Sequence, residues 1–98
     1  MKYDLKCRYD TRQSFYGKAK VRVCEESEKI THLELLSYGT LVANYVYYKN
    51  ENKKVYEYFG KYSQTTTRHQ KEFFRQLGLR DEEIKELFKN GILESEAI

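Results

Sequence analysis

Leu41-Val42-Ala43-Asn44-Tyr45-Val46-Tyr47-Tyr48, followed by Lys49-Asn50-Glu51-Asn52-Lys53-Lys54 and then Val55-Tyr56-Glu57-Tyr58-Phe59-Gly60, is the stretch on which the fold turns. Val42, Val46 and the tyrosines at 45, 47 and 48 suit a pleated, half-buried surface, so Leu41 to Tyr48 reads as a strand. Asn50-Glu51-Asn52-Lys53 reads as a hairpin turn, because asparagine tolerates positive backbone dihedrals. Val55, Tyr56, Tyr58 and Phe59 form the return strand, and Gly60 ends it.

Working toward the N-terminus, Lys18, Lys20 and Arg22 alternate with Ala19, Val21 and Val23. Period two with branched residues describes a half-buried strand whose outer face is cationic. Glu25-Glu26-Ser27-Glu28-Lys29 is a polar turn, and Ile30 to Tyr38 resumes strand character before Gly39 interrupts it. The expectation is an antiparallel meander of three or four strands.

Toward the C-terminus the period changes. Ser63-Gln64-Thr65-Thr66-Thr67 offers several N-caps, Arg68 to Leu77 has helical composition, and Gly78 supplies a stop. Gln70, Phe73 and Leu77 share one face of this helix, widened by Phe74, while Arg68, Lys71 and Arg75 lie on another. A second helix is expected from Asp81 to about Lys89, with Asp81, Glu82 and Glu83 at its positive N-terminal end and Asn90-Gly91 closing it. The fold class is α+β: a small antiparallel sheet followed by two helices packed on one of its faces. Residues 1–91 read as a single domain and residues 92–98 as a flexible tail.

The chain has 98 residues, no proline and no tryptophan, but 10 Tyr and 5 Phe, an aromatic load that a disordered chain would lack. No apolar run approaches the ~18 residues of a membrane span, and the N-terminus has no apolar signal core, so a cytoplasmic protein is expected. At this size the core is thin and an elaborate catalytic pocket is not expected. Cys7 and Cys24 read as free thiols of a reducing compartment.

Charge is unevenly distributed. Residues 1–24 carry seven Lys/Arg and two Asp, whereas residues 25–60 carry four basic and six acidic groups. Residues 61–80 carry five basic and one acidic, and residues 81–98 two basic and six acidic. Folding that joined the two basic segments would make a patch for phosphates or an acidic protein surface. Lys18, Lys20, Arg22, Arg68, Lys71 and Arg75 are the candidate contacts, and the hairpin tyrosines either add binding area or cover the small core.

Catalytic and metal chemistry find little support. Cys7, Cys24, His32 and His69 form a C-x16-C-x7-H-x36-H series that matches no zinc spacing, so no metal or cofactor is expected. The scattered glycines build no phosphate loop. His69, one helical turn before Phe73, reads as a packed or capping histidine, and the chain as a non-enzyme.

Three segments carry a resemblance: Ser14-Phe15-Tyr16-Gly17-Lys18-Ala19, then Ser37-Tyr38-Gly39-Thr40-Leu41-Val42-Ala43, then Tyr62-Ser63-Gln64-Thr65-Thr66-Thr67-Arg68-His69-Gln70-Lys71-Glu72-Phe73. In order and separation they resemble the SFYGKA, SYxTxVA and YSxTTxRHxxEF pattern of a family of small proteins of phages, plasmids and other mobile elements of Gram-positive bacteria. Gly39 departs from the polar residue expected there. Some small proteins of this kind are anti-CRISPR proteins, so the resemblance implies an inhibitory interaction protein of the bacterial host cytoplasm. Its partner would be a type II RNA-guided nuclease or its guide RNA. Tyr16, Tyr38, Tyr62 and His69, which stand in the motifs, join the contact set. A net-basic chain is a poor mimic of DNA, which favours interference with guide-RNA loading or effector assembly. The alternative is an accessory protein that binds RNA or single-stranded DNA directly. Exposed edge strands would also allow a homodimer.

Overall fold

The computed structural model describes residues 1–96. Its sheet is an antiparallel meander in strict sequence order: β1 Lys2–Asp4, β2 Ala19–Glu26, β3 Ile30–Ser37, β4 Thr40–Tyr48, β5 Lys53–Tyr58 and β6 Ile92–Glu96. Helices α1 Gln64–Gln76 and α2 Asp81–Asn90 fill the connection between β5 and β6. The class is α+β, with six strands where three or four were expected. The additional two are the edges. β1 is only three residues long and shows no alternation to mark it. β6 lies in the segment expected to be a flexible tail, yet Ile92 to Glu96 pair with Glu57 to Lys53. That pairing is invisible locally because two helices separate the partners in sequence. The remainder of the expected tail, residues 97–98, lies outside the described residues.

Local chemistry explains most of the boundaries. Tyr48 pairs with Lys53, and the four residues between form one turn of 3-10 helix, Lys49–Glu51, closed by Asn52 at φ 50°. Ser37 pairs with Thr40 across a two-residue turn in which Tyr38 (φ 51°) and Gly39 (φ 81°) are both left-handed, as the tightest hairpins require. Ser63 is the N-cap of α1, its hydroxyl accepting from the Thr66 N–H at 3.1 Å. That cap starts the helix four residues before the expected Arg68. Gly91 ends α2 in the left-handed conformation.

Both helices cover one sheet face. Ala19, Val21, Leu35, Val42, Ala43, Tyr45 and Tyr56 from the strands meet Phe73, Phe74, Ile84 and Leu87 from the helices, and Leu5 and Phe15 close one side. Of the hairpin tyrosines, Tyr45 and Tyr56 belong to this core, Tyr47 and Tyr58 pack against it, and Tyr48 is exposed. Tyr45 and Tyr56 are buried cross-strand neighbours with ring centroids 5.2 Å apart, and Tyr58 stacks on Phe88 at 4.1 Å. Burial pushes the Tyr45 phenol up to about 12. The opposite sheet face carries no helix.

Candidate binding surface

The segments around Phe15, Ser37 and Thr66 to His69 are far apart in sequence and meet at one end of the sheet. The Ser37 hydroxyl lies 2.8 Å from the Thr66 hydroxyl and 2.8 Å from His69 Nδ1. The Phe15 ring packs edge-on against the His69 ring at 4.5 Å, and the Tyr38 ring lies 5.8 Å from it. Ser37, Thr66 and His69 are all buried. Burial holds the His69 imidazole below its usual value, with a smaller opposing effect from Asp10. A serine hydroxyl next to an imidazole nitrogen is a nucleophile–base distance, but neither side chain reaches solvent. The group joins two chain turns to the first two turns of α1.

The rest of that helix segment is similarly committed. Glu72 is buried and its Oε1 accepts from the backbone N–H groups of Tyr9 (2.9 Å) and Asp10 (2.8 Å). Gln76 donates to Glu72 Oε2 and to the Lys6 carbonyl, both at 2.6 Å. Arg68 donates to Asp10 at 3.1 Å. The strap between β1 and β2 is thereby tied along α1. Gln70 donates to the Val42 and Gly60 carbonyls, joining the helix to β4 and to the exit of β5.

These facts revise the cationic face expected on α1. Arg68 is paired with Asp10, and Arg75 with Asp81 at 3.0 Å. Lys71 is exposed and has no ion pair among the described residues. His69 is a core residue and presents no surface for contact. The strap brings part of the first basic segment against α1, but the cations of β2 do not join those of the helix. Lys20 and Arg22 alternate with Ala19 and Val21, whose side face the helices cover, so these cations project from the opposite, helix-free face. Lys20 pairs there with Asp4 at 2.6 Å and Arg22 with Glu34. Neutralising partners 16 or 58 residues away leave no trace in a window of local sequence.

What gathers at the sheet end is different. A concavity of about 470 Å³ is lined by Lys2, Gly17, Lys18, Lys20, Arg22, Leu36, Tyr38 and Gly39. The Tyr38 N–H donates to the Lys18 carbonyl at 2.8 Å, which brings the turn before β2 beside the turn between β3 and β4. Lys2 and Lys18 are exposed and unpaired among the described residues. Tyr16 and Tyr38 stand at the two turn tips, 76 % and 58 % exposed, and both have left-handed backbones, φ 53° and 51°. Left-handed geometry is costly for a bulky side chain. Tyr62, 54 % exposed, immediately precedes the Ser63 cap, three residues before the buried Thr66.

The helix-free face also holds a polar row. Arg22, Glu34, Asn44 and Glu57 lie in register across β2 to β5. His32 Nε2 is 2.6 Å from Asn44 Oδ1, and Asn44 Nδ2 donates to Glu57 at 2.8 Å. Cys24, His32 and Glu34 cluster at one end of this row, with one donor atom of each within 4.8 Å of the others. Local desolvation of its sulfur pushes the thiol of the otherwise exposed Cys24 up, reinforced by its hydrogen bond to Glu34 and opposed by Arg22. Partial burial raises Glu34, but hydrogen bonds from Arg22 and Cys24 and the Arg22 charge outweigh it, so the carboxyl titrates below its usual range. The spacing of cysteines and histidines gave no sign of this cluster because Glu34 was absent from that count. The available signal was the i, i+2 placement of His32 and Glu34 on one strand face, opposite Cys24 across a short hairpin.

No helix among the described residues is long and apolar enough to cross a membrane. No curated protein and no solved structure matches this chain. Residues 3–90, which take in the strap, β2 to β5 and both helices, match the model of the family of unknown function DUF8033, and the chain belongs to that family.

Proposed function

We propose that the protein is a non-catalytic binding protein that acts by occupying an anionic partner, with the concavity at the end of the sheet as its contact surface. The carrying observation is the pair of exposed tyrosines, Tyr16 and Tyr38, held in left-handed turns beside a depression lined by Lys2, Lys18, Lys20 and Arg22. Strain of this kind concentrates at functional sites. Aromatic rings that stack beside cations that follow a phosphate backbone suit single-stranded nucleic acid. The resemblance to mobile-element proteins directs the reading to a type II RNA-guided nuclease, with the protein acting as an anti-CRISPR inhibitor that engages the guide RNA before loading.

The experiment is a target-cleavage assay in which the protein is added before or after the guide RNA, across several type II nucleases. Inhibition only on early addition supports the reading; no inhibition in either order overturns the inhibitor assignment. A second reading, a general RNA or single-stranded-DNA accessory protein, is favoured by the same lysines and tyrosines. It is distinguished by salt-sensitive RNA binding without nuclease inhibition.

A further inference from the structure

We propose that Cys24, His32 and Glu34 form a binding site for a borderline-soft divalent cation, zinc above all, on the helix-free face of the sheet. The three side chains supply one thiol sulfur, one imidazole nitrogen and one carboxylate oxygen, each within 4.8 Å of the other two. Ligands of these types around a tetrahedral zinc ion stand about 3.3–3.7 Å apart, given metal–ligand bonds of about 2.0–2.3 Å. Closing the set therefore asks for side-chain adjustments of roughly 1 Å, and Cys24 is exposed, carries no disulfide and already hydrogen-bonds to Glu34. Three protein ligands leave the fourth position to water, the pattern of an open site.

Two features beyond the donor set favour a metal. The first is outer-shell support. Asn44 donates its amide N–H to the Glu57 carboxylate, which fixes its Oδ1 as an acceptor. His32 Nε2, at 2.6 Å from that oxygen, must then carry the proton, and the lone pair belongs to Nδ1. The ring is thus held in one tautomer by an Asn–Glu relay, as metal-binding histidines commonly are. Both contacts of Arg22 with Glu34 are to Oε1, which leaves Oε2 for a metal; Arg22 also lies within hydrogen-bond reach of the Cys24 sulfur, where its charge favours the thiolate. The second feature is the backbone. Val23 pairs with Leu33 and Glu25 with His32, so Cys24 is the additional residue of a β-bulge. Bulges re-aim side chains and are enriched beside functional sites.

On binding, the Cys24 thiol releases its proton to solvent, and thiolate plus carboxylate offset the 2+ ion; the Arg22 guanidinium, which shares the Glu34 carboxylate, then leaves the corner with a net charge of +1 unless it swings toward solvent. Zinc fits this mixed sulfur, nitrogen and oxygen set better than magnesium or calcium, which take oxygen ligands.

Cobalt(II) is the probe, titrated into the full-length reduced protein. The expected result is a thiolate-to-cobalt charge-transfer band that saturates at one equivalent, is displaced by zinc, persists in Cys7→Ser and disappears in Cys24→Ser. Zinc competition should show affinity weakened at least about tenfold in His32→Gln and Glu34→Gln, and about tenfold or more in Asn44→Ala. Circular dichroism of each variant checks that the fold is kept. Absence of the band in the native protein, or its persistence in Cys24→Ser, would overturn the proposal. Neither result bears on the tyrosine and lysine surface, which the cleavage assay tests separately.

Discussion

Glu72 lies beneath the strap between β1 and β2, with both carboxylate oxygens committed: one to two backbone N–H groups, the other to Gln76. Replacing it with alanine leaves the amides of Tyr9 and Asp10 without their acceptor. Glu72→Ala should therefore cost about 2–4 kcal/mol in urea denaturation, and a loss below about 1 kcal/mol would mean the strap is held by other contacts. His69 gives a pH signature. Its folded-state value lies below the ordinary 6.5, so the unfolded chain takes up the proton first as pH falls. Its contribution to stability is complete above about 6.5 and is lost as pH descends through the lower folded value. Imidazole NMR should show His69 still neutral when the solution passes 6.5; titration at or above that point contradicts the burial argument. Tyr16 runs the other way. Asparagine tolerates its left-handed backbone, so Tyr16→Asn should raise stability by up to about 1 kcal/mol while weakening partner binding. A variant that loses stability would show that the exposed ring packs more than its position indicates. At this scale the sequence marks residue types but not their surroundings: Thr66 and His69 read equally well as cap, contact or core until Ser37 and Phe15 arrive from distant segments.

Among the elements, β2 to β5 and both helices were legible, because alternation, turn residues and caps act within a few positions of one another. β6 was not. Its five residues complete the ladder on β5, and the paired segments Glu57 to Lys53 and Ile92 to Glu96 are separated in sequence by both α1 and α2. A chain that stops after Gly91 should melt at least about 10 °C lower, at roughly 1 kcal/mol per ladder hydrogen bond and 4–8 °C per kcal/mol. It should also aggregate through the uncovered β5 edge. Differential scanning calorimetry and light scattering read both effects, and an unchanged melting temperature would make β6 dispensable.

For the molecule as a whole, the decisive fact is that the sheet has two unlike faces. The cations of β2 and those of α1 lie on opposite sides, so they act separately, and four of the six candidates are paired with carboxylates. Binding through the sheet-end concavity predicts that Lys2→Glu with Lys18→Glu weakens RNA affinity at least about tenfold and flattens its salt dependence. Lys71→Glu on the helix side should leave affinity within about twofold; equal losses from both would place the contact elsewhere. What the sequence by itself determined is the α+β class, the antiparallel hairpins, the two helices and the glycines that stop them. All of these follow from interactions between near neighbours along the chain. Only the tertiary structure decided which charges are cancelled, which tyrosines are core and which exposed, and that Cys24, His32 and Glu34 share one corner. Each of those depends on the register and the covered face of the sheet, which are set by long-range packing.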